Sequence, residues 1–369
     1  MADRPDDGAV LDRRTLNRTL LARQFLLERV DSRPLDLVGR LVGMQSQVPL
    51  DPYVGLWSRL GEFDPNAFGE TLLARRAVRM TLLRVTLHLV TSEDALRLRP
   101  LLQPMLERAF ASSAFARELD GLDLAPVLAR ATELLERRAL TTAQLGLELG
   151  EEWPDYDANA LAYAVRHLVP VVQITPRGVW GRSLQATMTT LGAWLDDSPA
   201  GRATLEELVV AYLRAFGPAT AADIRAWSWL GDVRSILDRL EPSLCTYRDE
   251  RGRILYDIED GVFADPATPA PVRFLPQYDN VFLSHADRNR IMDAVTWDHS
   301  FMHRGVLLAD GFVAGAWKLT KAKGEASLAV DVRVRVRPAL RREVLAEGEA
   351  LLAFLAPDAA VRRLAPGQA

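Results

Sequence analysis

The feature that most constrains the fold is an order of elements that recurs along the chain. Residues 204–257 run TLEELVVAYLRAF, a Gly-Pro break, TAADIRAWSWLG, VRSILDRLE and SLCTYRDERGRILYDI. The first three stretches carry apolar residues at helical spacing, and the last alternates as a β-hairpin does. The order stands earlier as LTTAQLGLELG, then DANALAYAVRHLV, then VVQITPRGVWG, which reads as two helices and two short strands around a Pro-Arg-Gly turn. Nearer the N-terminus, residues 14–28 predict a helix with leucines on one side, a second helix begins after Ser32 and Pro34, and a third starts at Asp51 and Pro52. A helical stretch at 66–77 follows. Then comes MTLLRVTLHLVT, in which Val85, Leu87 and Leu89 alternate with Arg84, Thr86 and His88, the pattern of one strand with a polar face.

Helices followed by a strand pair are the order of a winged helix, and its recurrence predicts three tandem modules over 1–120, 121–200 and 201–265. Residues 92–140 are read as mostly helical, with Pro100 and Pro104 marking breaks. Beyond Asp260 prolines give way to strands: GVLLADGFVAGAWKLT, with a tight Ala-Asp-Gly turn, and EASLAVDVRVRV. Residues 266–369 are therefore expected to form a small β-rich unit closed by the helix ALRREVLAEGEALLAFL. The predicted class is α+β, mainly helical.

Tandem winged helices point to nucleic acid, because their helices and wings present side chains to grooves and phosphates. A formal charge of -4 argues against a chain coated in positive charge but leaves room for a local basic groove. Of 45 basic residues only three are lysines, Lys318, Lys321 and Lys323, and they fall together in AWKLTKAKGEA, a cationic hairpin. The single cysteine, Cys245, excludes an internal disulfide framework and a cysteine-rich zinc site, and the N-terminus has no apolar signal core. A cytoplasmic, nucleoid-associated protein that enters no membrane is expected.

Two glutamines interrupt the stretch LVGRLVGMQSQVPLDPYVGLW. Val38, Leu41 and Val42 recur at i, i+3 and i+4, and the next position of that stripe is Gln45. A buried amide costs about 1 to 3 kcal/mol unless paired, so Gln45 should face a fixed network or a wet cleft. Pro49 disfavours helix at Val48, so the helix should end near Gln45; in the extended segment that follows, Gln47 points the same way. Taken alone, the pattern is also met by a Gln45 that caps its helix and a Gln47 that is merely solvated. Arg84 and His88 are candidates for contact with a phosphate or substrate. Gln277, Asp279, His285 and Asp287 fall in a loop between short apolar runs, and His299 and His303 stand four apart without a further ligand set for zinc. No dinucleotide, P-loop or G-x-S-x-G signature occurs, so neither cofactor nor metal is expected.

The Q-S-Q stretch, LLRVTLHLV, FGPATAADIRAW and FLPQYDN followed by GAWK resemble, in order and over nearly the whole length, the AlkZ-like winged-helix DNA glycosylases of actinobacteria. The resemblance implies a monofunctional glycosylase that removes N7-alkylated purines and unhooks azinomycin-type interstrand crosslinks. It implies that Gln45 and Gln47 match the family's catalytic Gln-x-Gln element; relatives with an acidic second residue act on simpler lesions. The expected partner is double-stranded DNA carrying such damage, bound by a monomer. Expected DNA contacts are Arg84, His88, Gln277, Asp279, Lys318, Lys321 and Lys323. The alternative is a non-catalytic winged-helix regulator, which would prefer one operator sequence and ignore damage.

Overall fold

The structure, a computed structural model, describes residues 3–197, 203–293, 301, 303–335 and 337–366. Helices and three sheets make up a mixed α and β fold. One sheet positions the glutamines. Its strands, all antiparallel, run in the order Met44–Gln45, Leu87–Thr91, Ala77–Thr81, Val171–Gln173, Met188–Thr190.

That sheet corrects two sequence expectations. MTLLRVTLHLVT is not one strand: Ala77–Thr81 and Leu87–Thr91 form a hairpin across a 3-10 turn at Leu83–Val85, in which Arg84 and Val85 have φ of 53° and 57°. Nor do the two strands expected within VVQITPRGVWG pair with each other. Val171–Gln173 pairs with Met188–Thr190 on one side and with Ala77–Thr81 on the other, while Val179 is buried against Tyr53 and Phe68. Hydrogen bonds of one sheet therefore cross the expected boundary at 120/121.

The segment 121–200 supplies most of one core, from Val127 and Leu135 through Leu145 and Leu161 to Met188, which also takes in Phe110 and Leu119 from before the expected boundary. It is built by the helices Leu124–Arg137, Thr142–Glu152 and Ala158–Leu168, each with an Asp or Thr side chain accepting from its first free amides. Pro100 and Pro104 do not break the preceding segment. Both lie inside the 20-residue helix Ser92–Ala111, where each withholds one amide while Leu98, Leu102, Met105 and Leu106 bury its apolar face.

Residues 204–258 form the helices Leu205–Phe216, Ala221–Ser228 and Val233–Leu240 and the hairpin Leu244–Asp249 with Ile254–Ile258. The N-terminal strand Val10–Leu11 adds to that hairpin in parallel. The helix Arg13–Arg23 is not apolar on one side only; Asn17, Arg18, Thr19 and Arg23 are buried along with its leucines. Arg23 makes a bidentate pair with Asp257, at 2.7 Å for each bond, and Arg18 reaches Asp310, so charged side chains fasten this helix to both following parts of the chain.

The last sheet runs Val361–Pro366, Glu325–Val332, Phe312–Ala322, Gly305–Ala309, Arg273–Leu275. Helix Pro338–Leu355 packs on it through Val344, Leu351 and Leu352. Trp317 Nε1 donates to Leu275 O at 2.9 Å and ties the lysine-bearing strand to the segment that carries Gln277 and Asp279. No helix among the described residues is long and apolar enough to cross a membrane.

Candidate active site

Gln45 does not continue a helical stripe. Helix Pro34–Arg40 ends early, and Val42 (φ 55°) and Gly43 (φ 83°) turn the chain into the strand Met44–Gln45. The turn demands glycine, since a Cβ on Gly43 would stand 2.6 Å from Val90 Cγ1 and 3.1 Å from Leu89 O. Asn280 holds the same turn from outside, its Nδ2 donating to Gly43 O at 2.7 Å and Leu41 O at 3.3 Å.

The strand then places three successive side chains against the hairpin Ala77–Thr91. Gln45, 7% exposed, lies opposite His88 in register, and its Oε1 accepts from Arg84 Nη2 at 3.1 Å. Ser46 is clamped by Arg79, whose Nε donates to Ser46 Oγ at 2.9 Å and Nη2 to Ser46 O at 2.7 Å. Gln47 is exposed, and its Oε1 accepts from the amide of Leu87 at 3.3 Å. Both amides thus spend one oxygen lone pair on the turn between the hairpin strands.

Arg84 lies beneath this arrangement. Its Nη1 donates to Trp227 O at 2.7 Å, so the left-handed turn is pinned to helix Ala221–Ser228 while Nη2 holds Gln45. Burial pulls its guanidinium down to about 10, and burial together with the Arg84 charge pushes His88 down to about 3. His88 is neutral near pH 7 and buried, with Nδ1 on Thr86 O at 2.9 Å. It lies opposite Gln45 on the paired strand at 2% exposure, which leaves it no surface to present to DNA.

Gln47 opens onto a cavity of about 130 Å³ lined also by Arg79, Arg166, Gln173 and Arg177. No carboxylate lines it. Arg79 is held down to about 10 by burial and then by the neighbouring charge of Arg177, and its Nη1 donates to Gln173 Oε1 at 3.0 Å. Gly178 leaves room for it, since a Cβ there would sit 2.8 Å from Arg79 Cδ. Three guanidinium groups around a polar hollow suit an anion such as a DNA phosphate. Sequence reading missed Arg79; an arginine between apolar residues in AVRMT was the only signal.

The remaining sequence candidates fall elsewhere. Asp279 is buried, its two oxygens accepting from Arg59 Nη1 and Nη2 at 2.8 Å each, and Oδ1 also accepts from Val281 N at 3.1 Å. It is scaffold beneath the glutamine strand and cannot meet DNA, because its oxygens are spent on Arg59 and the helix it caps. Gln277 is half-buried just before it and does not line the Gln47 cavity. His285 is buried with Nδ1 on Ser284 Oγ at 2.8 Å, and burial pushes it down to about 3. Asp287 pairs with Arg253 at 2.7 Å. Lys318, Lys321 and Lys323 are exposed on the hairpin whose two-residue turn is Lys323-Gly324, with φ of 44° and 82°. Lys321 Nζ already donates to Leu355 O at 2.6 Å, at the end of helix Pro338–Leu355. His299 lies outside the described residues. Among the described residues, no group of three or more His, Cys, Asp or Glu is placed to hold a metal ion.

The family model for DNA glycosylase AlkZ-like proteins matches residues 38–354. The chain belongs to the AlkZ-like DNA glycosylase family. Among solved structures, the fold is similar to that of Streptomyces sahachiroi DNA glycosylase AlkZ, with a TM-score of 0.64 at 20% identity over 97% of this chain and 99% of that one. No curated protein gives a match. Membership in the AlkZ-like family makes DNA the substrate class and favours an enzyme over the regulator that tandem winged helices alone would allow.

Proposed function

We propose that the chain hydrolyses the N-glycosidic bond of N7-alkylated purines in double-stranded DNA, with Gln45 and Gln47 placing the attacking water. Alkylation at N7 makes the purine cationic, so the base departs neutral and needs no general acid. What remains is to hold a water against C1′ and to support a developing oxocarbenium sugar, for which oriented amide dipoles suffice. The observation that carries this reading is the pair of amides, two residues apart, each fixed through its oxygen against the Leu83–Leu87 segment. The second lone pair of each oxygen is left for the water. Arg166 and Arg177 are the matching phosphate ligands, while Arg79 is clamped on Ser46 and Gln173.

Azinomycin-type crosslinks are the further substrates. A crosslinked base is tied to the opposite strand and cannot be flipped freely, so it is attacked within the duplex while the Lys323-Gly324 hairpin enters a groove. The product is an intact abasic site, because strand cleavage through a Schiff base needs a free amine at C1′ and all three lysines lie on that hairpin. The test is a duplex with one N7-methylguanine. Base release with alkali-labile abasic sites and no borohydride trapping on DNA is expected; a trapped complex lost in the lysine variants would move catalysis to the hairpin.

A further inference from the structure

A second and larger cavity, about 950 Å³, adjoins the same turn: Val85 lines both, and Arg84 lines only the larger. Its other walls come from the end of helix Ser92–Ala111 with Arg108, from Tyr163, and from Arg225 and Trp229 at the end of helix Ala221–Ser228. Three arginines line it, and no carboxylate does. Arg108 and Arg225 are exposed and enter none of the ion pairs found among the described residues. Trp229 is 50% exposed and caps its helix in the left-handed region, φ 59° and ψ 20°, a conformation that glycine or asparagine takes at little cost and a bulky residue does not. An indole held half out of the fold at that cost, beside two uncommitted guanidinium groups, points to a ligand with an aromatic face and negative charge.

We propose that this cavity is a second nucleic-acid subsite that takes an unpaired nucleotide next to the lesion, its base stacked on Trp229 and its phosphates held by Arg108 and Arg225. Within a duplex each base face is covered by its neighbours, so only an unstacked nucleotide answers the indole. Neither Gln45 nor Gln47 lines this cavity, so the nucleotide it takes is not the one being excised. The inference rests on the glycosylase reading for the kind of partner alone, and binding decides it separately from excision.

The test uses two duplexes containing a tetrahydrofuran abasic analogue, one fully paired and one with a single unpaired 2-aminopurine beside the analogue. The parent should bind the second about 10-fold more tightly and quench its fluorescence. Trp229→Ala should abolish both effects and Trp229→Phe should keep them. Arg108→Ala with Arg225→Ala should lower the slope of log K against log salt by about 2 on the unpaired duplex. Should Trp229→Ala melt early, the double arginine variant carries the test, since both side chains are exposed. Equal affinity of the parent for the two duplexes, or a preference that survives in Trp229→Ala, overturns the proposal. Release of N7-methylguanine by the parent is followed in parallel; its failure would count against the glycosylase reading and leave the binding result to decide the subsite.

Discussion

Gln45 and Gln47 share one segment but not one environment: the first is buried with its oxygen on Arg84 and the second stands at the rim of a cationic cavity. In the sequence they stand out because an amide occupies a position where an apolar residue is due, but Gln45 sits in a strand and not at the end of a helical stripe. The left-handed turn at Val42 and Gly43, where Val90 leaves no room for a Cβ on Gly43, is not encoded in the local apolar pattern. Arg84, a candidate DNA contact by sequence, donates to Gln45 Oε1 and to Trp227 O, which suits it to orient that amide. Arg84→Met should therefore slow single-turnover excision, and combined with Gln45→Ala it should cost less than the two single effects added, with a coupling of about 0.5 to 3 kcal/mol. Simple additivity in that cycle would separate the two residues.

Asp51 supplies a second prediction at this scale. Its Oδ2 is buried without a hydrogen-bond partner, and burial, then the charge of Asp279, pushes the carboxyl up to about 7. The folded state thus holds this proton more tightly than the unfolded chain from about pH 4 to pH 7. Stability from this group falls as pH rises through that window and is level above it. Asp51→Asn should gain on the parent by up to about 4 kcal/mol at pH 8 and by much less at pH 5, read from urea unfolding at both. An equal difference at the two pH values would contradict the assignment.

At the scale of elements, helices were the readable part. Leu205–Phe216, Ala221–Ser228, Val233–Leu240 and the hairpin after them stand where period and caps put them. The failures share a cause: LLRVT has strand propensity, but Arg84 bonds both Trp227 and Gln45 and holds the chain in a turn. Likewise, packing of Leu98, Leu102 and Met105 carries a helix through two prolines that local rules treat as breaks. The FLPQYDN motif was visible, while its role was not. Its Asp279 pairs with Arg59, with side chains 1% and 0% exposed, and its Asn280 grips the turn before the glutamines. Removing one member of such a buried pair strands the other charge, so Asp279→Ala should destabilise the fold by about 3 to 5 kcal/mol in urea unfolding. The salt slope of DNA binding should stay at the parental value. A stable variant with a reduced slope would return Asp279 to the DNA interface.

For the whole molecule, the recurring order of elements matches the helices and hairpin of residues 204–258 but not the way the strands of residues 77–91 and 171–190 join into one sheet. Pairing between segments some 90 residues apart leaves no local trace; its consequence is that Gln173 and Arg177 reach the cavity of Gln47. The lysine hairpin is the other long-range question. Lys321 is engaged by Leu355, which leaves Lys318 and Lys323 to meet phosphate, so their joint replacement by alanine should lower the salt slope by about 2 on undamaged duplex of any sequence. An unchanged slope would take the hairpin out of the interface. The central claim is that the glutamine amides perform the chemistry, and Gln47 tests it most directly because it is exposed and its loss should not disturb folding. Single-turnover excision of N7-methylguanine by Gln47→Ala should fall about 10- to 1,000-fold, roughly 1.4 to 4 kcal/mol of transition-state stabilisation, with melting temperature and affinity for undamaged DNA unchanged. A Gln47→Ala protein that melts and binds as the parent does and excises at the parental rate would contradict it.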